Sequence, residues 1–318
     1  MKSAKIFVLF ILLPIATVEM QFFDFINVFF DKDVLRPFDA EEFKKDLRKS
    51  LYGQHIALEA IHKSVSGFMK DPNPSKPLVL SLHGSTGVGK TYVTKIIARN
   101  IYEMGEKSKH VHTFIATYHF PLKQHTETYK TQLKQWIHGS VSSFPRTMFI
   151  FDEVEKMDPH LIETIKPFLD YVPDVAGVSF HNAIFIFLSN AGQNVINNIT
   201  LAFMREHKRR DDIQMYSMDM ETKIYQYIFD NEDTGFRHSC LIGEHLVDHF
   251  IPFLPLELKH VRQCVLAEMA NLNIPIAQYP DLADTVARQM PFFPPEENIF
   301  SVKGCKSVRQ KLILYFKE

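Results

Sequence analysis

Between residues 78 and 205, short apolar runs alternate along the chain with longer segments whose apolar residues recur at helical spacing. Apolar runs without alternation predict strands that are buried on both faces, and the intervening segments predict the helices that cover them. The pattern therefore predicts an α/β fold in which helices flank a parallel sheet. The predicted strands are residues 78–82, 113–117, 148–151 and 183–188, and the predicted helices are about 89–104, 127–141, 159–169 and 191–205.

The regions on either side of this alternating segment are predicted to be helical. Residues 40–70 have helical spacing with an interruption at Gly53, and a turn-rich linker separates them from the first strand. From residue 218 onward strand-like runs fade, and helices are predicted at about 218–229, 258–272, 280–290 and 305–315. We therefore predict a large α/β domain over residues 40–215 and a small, mainly helical domain over residues 216–318.

The N-terminus has the pattern of a secretory signal peptide. Lys2 and Lys5 precede an apolar run over residues 6–18, which is shorter than the roughly 20 residues of a membrane-spanning helix. We predict a signal peptide over residues 1–20, with an uncleaved membrane anchor as the alternative. Residues 21–39 form a hydrophobic, aromatic segment that either contacts a membrane interface or covers the core. Both interpretations of the leader place the protein in the secretory pathway.

The charge balance gives no reason to expect a nucleic-acid partner. The 318 residues include 36 Lys and Arg against 37 Asp and Glu, so the chain lacks the basic excess that binds phosphate backbones. A hydrophobic fraction of 46% fits a globular protein with a buried core. The three cysteines are Cys240, Cys264 and Cys305, so at most one pair can form within the chain.

A glycine-rich turn follows the first predicted strand and opens the next predicted helix. Its eight residues, 84–91, read GSTGVGKT and fit the phosphate-binding pattern GxxxxGK[S/T]. Backbone N–H groups of such a turn point at phosphate oxygens, Lys90 is expected to reach the β- and γ-phosphates, and the Thr91 hydroxyl is expected to bind Mg²⁺. The predicted nucleotide-binding residues are Gly84, Ser85, Thr86, Gly87, Val88, Gly89, Lys90, Thr91 and Tyr92.

Two further predicted strands end in polar residues suited to ATP hydrolysis. The strand over 148–151 is followed by Asp152, which we expect to hold Mg²⁺ through water, and by Glu153, which we expect to polarise the attacking water. Capping of a helix by Asp152 or Asp158 is the alternative interpretation. The strand over 183–188 is followed by Asn190, which can hold the attacking water, although strands also end in Asn for turn geometry.

Together these motifs resemble those of the torsins, lumenal AAA+ ATPases related to the Clp group. The similar stretches are LYGQHIA, LSLHGSTGVGK, IFIFDEVEKM, IKPFLDY, IFIFLSNAG, FIPFLPLELKHV and GCKSV, which extend from residue 51 to residue 308. The resemblance implies a P-loop AAA+ fold and hydrolysis of ATP with Mg²⁺. It also implies residence in the lumen of the endoplasmic reticulum and nuclear envelope, where the protein would remodel protein or membrane assemblies.

The resemblance assigns roles to residues near the C-terminus. Lys306 matches the position at which a cation of the small domain meets the nucleotide, and Cys305 is expected to pair with Cys264 as a redox-responsive latch. Two buried, inert thiols are the alternative for these cysteines. Cys240 matches no role. Separately, Asn198 begins the sequon Asn-Ile-Thr and is a candidate glycosylation site, although it falls within a predicted helix.

Departures from the family pattern affect the expected mechanism. Torsins usually carry Asn where this chain has Thr91, so metal binding here should be closer to that of ordinary P-loop ATPases. Clp relatives carry an arginine finger where this chain offers Lys259 and then Arg262. Isolated turnover is therefore expected to be slow, because such a finger raises the rate by orders of magnitude. Arg237 is a candidate local substitute, and the charged residues 207–212 are expected to form either a solvated helix end or a ring contact.

The resemblance implies that a partner supplies the missing arginine. The expected partner is the lumenal, AAA+-like domain of a membrane-anchored cofactor, which would complete a homo- or hetero-oligomeric ring. A second function of a different class is a nucleotide-gated binding module that grips its partner in the ATP state and rarely hydrolyses. Glu153 and Thr91 favour the enzyme, whereas the missing finger favours the binding module.

Overall fold

A five-stranded parallel sheet forms the centre of the protein, in a computed structural model that describes residues 33–206, 208–215, 219–230 and 245–316. The strand order is β2-β3-β4-β1-β5, and every neighbouring pair is parallel. The predicted α/β fold with a parallel sheet is therefore confirmed. The strands are β1 Leu78–His83, β2 Val111–Ile115, β3 Met148–Asp152, β4 Ile184–Ser189 and β5 His249–Pro252.

The side chains of the central strands point alternately into two hydrophobic cores. One face of β3 and β4 carries phenylalanines, with ring centroids 5.0 Å apart for Phe149 and Phe185 and 5.3 Å apart for Phe151 and Phe187. The other face carries aliphatic side chains such as Ile186. Each fully buried side chain of this size contributes roughly 1.5–3 kcal/mol. Because both faces are covered, the strands are apolar throughout instead of alternating.

Helices cover both faces of the sheet. Side chains of α1, α3 and the C-terminal helices belong to the aliphatic core, whereas those of α5 to α8 belong to the phenylalanine-rich core, and α2 contributes to both. This arrangement is the expected layering of an α/β domain. The helices of the large sheet region are α1 Ala40–Ser50, α2 His55–Lys70, α3 Lys90–Ile101, α4 Ala116–His119, α5 Thr126–Ser143, α6 Pro159–Glu163, α7 Gln193–Arg205 and α8 Met220–Asp230.

Local chemistry sets several of the helix ends. Asp39 caps α1 by accepting hydrogen bonds from the backbone N–H groups of Glu41 and Glu42, and Asp158 caps α6 in the same way. The helix predicted over 159–169 is shorter than expected, because α6 gives way to the separate 3-10 turn Lys166–Phe168. Pro167 in that turn lacks the N–H group that a continuing α-helix needs.

The fifth strand was not predicted from the sequence. Residues His249–Pro252 were expected to belong to a mainly helical region, yet they form β5 and pair in parallel with β1. The strand has only four residues, and Pro252 directly follows its phenylalanine and isoleucine, so its pattern is too short to stand out. The chain after residue 215 therefore completes the large sheet before it forms the C-terminal helical region.

The C-terminal region is small and mainly helical, as predicted. Its helices are α9 Leu258–Asn271, α10 Leu282–Arg288 and α11 Val308–Tyr315, and a two-stranded antiparallel pair, β6 Phe292–Phe293 and β7 Phe300–Ser301, lies between α10 and α11. The three helices share the aliphatic core with α1 to α3. The predicted boundary between the two domains otherwise stays a prediction.

The described chain begins alongside the end of α3. Leu35 forms an antiparallel bridge with Tyr102, and the Arg36 backbone N–H donates to the Ile101 carbonyl at 3.0 Å. The predicted signal peptide over 1–20 and most of the aromatic segment over 21–39 lie outside the described residues. Within the described ranges, every helix is too short or too polar to cross a membrane.

Candidate nucleotide site

The predicted phosphate-binding turn lies between the end of β1 and the start of α3. Three of its glycines have positive φ angles, 152° at Gly84, 74° at Gly87 and 111° at Gly89, which is a region that side chains disfavour. Gly89 occupies the N-cap of α3 and has no side chain with which to cap the helix. The first-turn N–H groups and the positive end of the helix dipole are therefore available to an anion.

Lys90 is a buried cation at the centre of this turn. Its ammonium donates to the carbonyl oxygens of Gly84 and Ser85 at 2.5 and 2.9 Å, and to Asn190 Oδ1 at 3.0 Å. Burial lowers the pKa of Lys90 to about 8, although two nearby carboxylates oppose the shift. A bound anion would stabilise the charged form of this ammonium, so the turn fits the phosphates of a nucleotide.

Asp152 lies beside the same turn, at the end of β3. Its Oδ2 accepts a hydrogen bond from Thr91 Oγ1 at 3.2 Å, so the predicted hydroxyl and carboxylate ligands of Mg²⁺ face each other. Burial raises the pKa of Asp152, and hydrogen bonds from the Glu153 backbone and from Thr91 oppose that shift. A divalent cation would compensate a carboxylate that burial destabilises, so these residues fit Mg²⁺.

Glu153, which directly follows β3, is turned toward the short helix α4. Its Oε2 accepts a hydrogen bond from Thr117 Oγ1 at 2.5 Å, and its Oε1 lies 3.2 Å from Lys156 Nζ. The hydrogen bond from Thr117 is the main reason why the pKa of Glu153 is lowered. The backbone at Glu153 is left-handed, with φ 59°. Glu153 is therefore held as a carboxylate, with its side chain directed at Thr117 in this conformation.

Asn190 connects the turn to a second acidic residue. While Asn190 Oδ1 accepts from Lys90, its Nδ2 donates to Glu155 Oε1 at 2.9 Å. The structure thus brings Asn190 and Asp152 to the phosphate-binding turn, as the order of the parallel strands requires.

Two protein-family models match this chain along separate stretches. The model described as Torsin matches residues 23–151, and the model described as Torsin-1A, C-terminal domain, matches residues 256–315. Together they cover more than half of the sequence and include the phosphate-binding turn and the C-terminal helical region. The chain belongs to the torsin family.

Two solved structures of Hsp104 share the fold. The S. cerevisiae Hsp104-ADP complex matches with a TM-score of 0.60 at 17% identity, and a closed-state reconstruction of Hsp104 with ATPyS and FITC casein matches with a TM-score of 0.60 at 16% identity. Each match covers 85% of this chain and 45% of the Hsp104 chain, so this torsin spans about half the length of those proteins. At this identity the likeness shows the AAA+ fold alone.

In this torsin the GCK segment packs directly on the phosphate-binding turn. The Cys305 backbone N–H donates to the Gly87 carbonyl at 2.9 Å, and Gly304 lies against the same carbonyl. The Lys306 side chain is exposed, and its charge contributes to the lowered pKa of Lys90. The structure thus brings Lys306 to the predicted site, and its role toward a nucleotide stays a prediction.

A disulfide joins Cys264 of α9 to Cys305, with Cα atoms 6.1 Å apart. Since Cys305 contacts Gly87, this bond connects α9 covalently to the segment that touches the phosphate-binding turn. The predicted pairing is therefore present, whereas its redox response stays a prediction. Cys240 lies outside the described residues.

The candidate glycosylation site lies on α7. Asn198 is exposed, but Thr200 of the same sequon is fully buried and donates its hydroxyl hydrogen to the Ile196 carbonyl at 2.7 Å. Glycosylation of Asn198 stays a prediction.

The candidate substitutes for an arginine finger form ion pairs elsewhere. Lys259 Nζ lies 3.4 Å from Glu257 Oε2, and Arg262 Nε lies 2.8 Å from Asp284 Oδ2. Arg237 lies outside the described residues.

The charged residues 207–212, expected to form a solvated helix end or a ring contact, contain an arginine that is buried within the protein. Arg210 is only 4% exposed, and its guanidinium donates to the carbonyl oxygens of Pro255 and Gly53 at 2.8 and 2.7 Å. It also lies 3.5 Å from Glu257. The neighbouring charged residues gave no signal that distinguished Arg210, because only the tertiary contacts bury it.

Other residues of the site also escaped the sequence analysis. Thr117 holds Glu153, and Glu155 holds Asn190. The buried His83 ring bonds to Ser81 and to the Ala191 carbonyl, which joins β1 to the loop after β4. Only Glu155 had a visible signal, since it is a third acidic residue in the DEVE sequence after an apolar strand.

Proposed function

We propose that this protein binds ATP with Mg²⁺ at residues 84–91 and hydrolyses it, as a torsin-type AAA+ ATPase. The observation that carries the proposal is the convergence of three strand ends: Lys90 bonds to Asn190, and Thr91 bonds to Asp152. A buried ammonium, an uncapped helix N-terminus and a paired hydroxyl and carboxylate are together suited to a magnesium-bound triphosphate.

Each of these groups has a part in the proposed reaction. Lys90 and the first-turn N–H groups of α3 would hold the phosphates, while Thr91 and Asp152 would hold Mg²⁺, which would neutralise charge on the phosphate oxygens. A water oxygen bonds to the γ-phosphorus as the bond from that phosphorus to the bridging oxygen of ADP breaks. Glu153 takes the proton that this water loses, after its carboxylate turns from Thr117 toward the phosphates.

We further propose that turnover depends on a cation from a partner. Lys259 and Arg262 are held in ion pairs with Glu257 and Asp284, which favours an external source. The partner would be the lumenal, AAA+-like domain of a membrane-anchored cofactor that donates an arginine across a mixed ring. Such an arginine raises the rate by about 10³–10⁵ in the enzymes that use one.

The proposed setting follows from the family and from the leader sequence. Torsin membership and the signal pattern of residues 1–20 support a location in the lumen of the endoplasmic reticulum and nuclear envelope. There the protein would remodel protein or membrane assemblies, and residues 21–39 would supply any peripheral membrane contact. The disulfide between Cys264 and Cys305 would act as a redox latch, because its reduction would free the segment that contacts Gly87.

A nucleotide-gated binding module is the second candidate. The contacts of Glu153 favour it, because its carboxylate is bonded to Thr117 and paired with Lys156 and must leave Thr117 before it can accept a proton from water. In that case the protein would bind its partner in the ATP state with negligible turnover.

Phosphate release by the full chain, with and without the cofactor's lumenal domain, tests the proposal. We expect the domain to raise the rate by orders of magnitude and Glu153→Gln to abolish the increase. Equal rates for the wild type with and without the domain would contradict activation. Full activity of Glu153→Gln would exclude Glu153 as the residue that takes the proton from water.

Binding of a fluorescent ATP analogue provides the matched test of the site itself. Lys90→Ala is expected to lose binding, whereas Lys95→Ala, an exposed lysine of the same helix that pairs with Glu106, is expected to keep it. If both variants bind like the wild type, the turn over 84–91 is not the nucleotide site.

A further inference from the structure

Glu155 accepts three hydrogen bonds from the end of β4. Its Oε2 accepts from Ser189 Oγ at 3.0 Å and from the Asn190 backbone N–H at 3.2 Å, and its Oε1 accepts from Asn190 Nδ2 at 2.9 Å. Glu155 itself belongs to the 3-10 turn Val154–Lys156, which follows β3. One carboxylate thus holds both the backbone and the side chain of Asn190.

The chemistry of its two partners decides which way the Asn190 amide faces. A carboxylate only accepts hydrogen bonds, so the amide atom beside Glu155 must be the nitrogen. An ammonium only donates, so the atom that lies 3.0 Å from Lys90 Nζ must be the oxygen. A flipped amide would place acceptor against acceptor at Glu155 and donor against donor at Lys90, which the hydrogen-bond network excludes.

We propose that Glu155 is a positioning residue that makes Asn190 present a hydrogen-bond acceptor to the reaction centre. The inference deepens the proposed ATPase function and rests on it. The amide oxygen that faces Lys90 repels phosphate oxygens and cannot donate a hydrogen bond to the γ-phosphate. It accepts a hydrogen bond from the attacking water, whose other hydrogen is directed at Glu153.

The orientation can be tested by exchanging the two functional groups. In Glu155→Gln a donor faces the Asn190 amide nitrogen, and an amide that flips to avoid it turns its nitrogen toward Lys90. In Asn190→Asp two carboxylates face each other. In the double variant the new amide donates to the new carboxylate, the bonds from Ser189 and the backbone are kept, and an oxygen still faces Lys90.

The kinetic readout is single-turnover hydrolysis of radiolabelled ATP with Mg²⁺ by the full chain. We expect each single variant to lose about tenfold in rate at saturating ATP, with affinity for ATP changed less than the rate in Glu155→Gln. The double variant is expected to recover to within about threefold of the wild type, since its hydrogen bonds are rebuilt. Losses that multiply in the double variant would overturn the proposal.

Glu163→Gln is the matched control, because it removes the same charge from an exposed position on α6, eight residues along the chain. It is expected to leave the rate unchanged. Urea unfolding of every variant separates a loss of fold from a loss of orientation, and a purely structural role for Glu155 would lower stability without rescue by Asn190→Asp.

A second measurement is independent of hydrolysis. In the full chain labelled with ¹⁵N-asparagine, the side-chain amide signal that disappears in Asn190→Asp belongs to Asn190. We expect a carboxylate-bonded, downfield hydrogen in the wild type and its loss in Glu155→Gln, while Glu163→Gln leaves the signal in place. An unchanged signal in Glu155→Gln would refute the orientation. If the signal moves but the wild type neither binds nor hydrolyses ATP, the proposed function fails and the orientation stands.

Discussion

Placing a methyl group on Gly87 is expected to separate the phosphate-binding turn from the GCK segment. A Cβ at this position would lie 2.1 Å from the Lys303 carbonyl oxygen and 2.9 Å from the Lys306 nitrogen. Both are backbone atoms, so rotation of a side chain cannot relieve the overlap. Gly87 also has a φ of 74°, a conformation that costs a residue with a Cβ roughly 1–2 kcal/mol.

Gly177→Ala separates the cost of the positive φ angle from the cost of steric overlap. Gly177 has a similar φ of 80°, but a Cβ there would meet nothing within 4 Å, so its substitution measures backbone strain alone. Overlap with fixed neighbours typically adds about 1–3 kcal/mol. We therefore expect Gly87→Ala to lower the free energy of unfolding by about 1–3 kcal/mol more than Gly177→Ala.

Urea unfolding of the two variants and the wild type measures the difference, and binding of the fluorescent ATP analogue reports on the turn. Gly87→Ala is expected to weaken nucleotide binding, because the displaced turn no longer directs its N–H groups at the phosphates. Equal destabilisation by both substitutions, with nucleotide binding intact in both, would refute the reasoning that Gly87 is needed for contact with the C-terminal region.

Three further expectations follow from burial, helix propensity and titration. Arg210→Ala is expected to cost about 3–5 kcal/mol, because it removes the buried cation beside Glu257 and leaves two carbonyl groups without their donor. Arg209→Ala, at a side chain 81% exposed, should change stability by less than about 0.5 kcal/mol, and similar urea midpoints for the two variants would contradict this. Gly139→Ala in α5, where a Cβ meets nothing within 4 Å, is expected to stabilise by about 0.5–1 kcal/mol, and a loss of thermal stability would show the prediction to be wrong. Burial lowers the pKa of His260 to about 3, so the unfolded chain binds a proton that the folded protein does not, and stability should fall as the pH drops below about 6.5, by about 1.4 kcal/mol per pH unit for this group. His260→Gln should reduce that slope between pH 6 and pH 4, and an unchanged slope would exclude His260 as its source.

Much of the fold and of the candidate site was readable from local sequence. Uninterrupted apolar runs predicted buried parallel strands, because only a sheet covered on both faces has no polar alternation. The turn over 84–91 was equally local, since its glycines and its lysine lie in one continuous pattern between a strand and a helix. Asp152 and Asn190 were found because polar residues directly follow apolar strands whose ends meet at one edge.

Tertiary structure alone decided the remaining features, since each depends on contacts between distant parts of the chain. The four-residue strand β5 is recognisable only by its pairing with β1, and the burial of Arg210 only by its contacts with Gly53 and Pro255. The amide direction of Asn190 follows from two partners, Lys90 and Glu155, that lie 100 and 35 positions away. Sequence patterns report the period of a single element, whereas hydrogen bonds and charge burial depend on which elements the fold brings together.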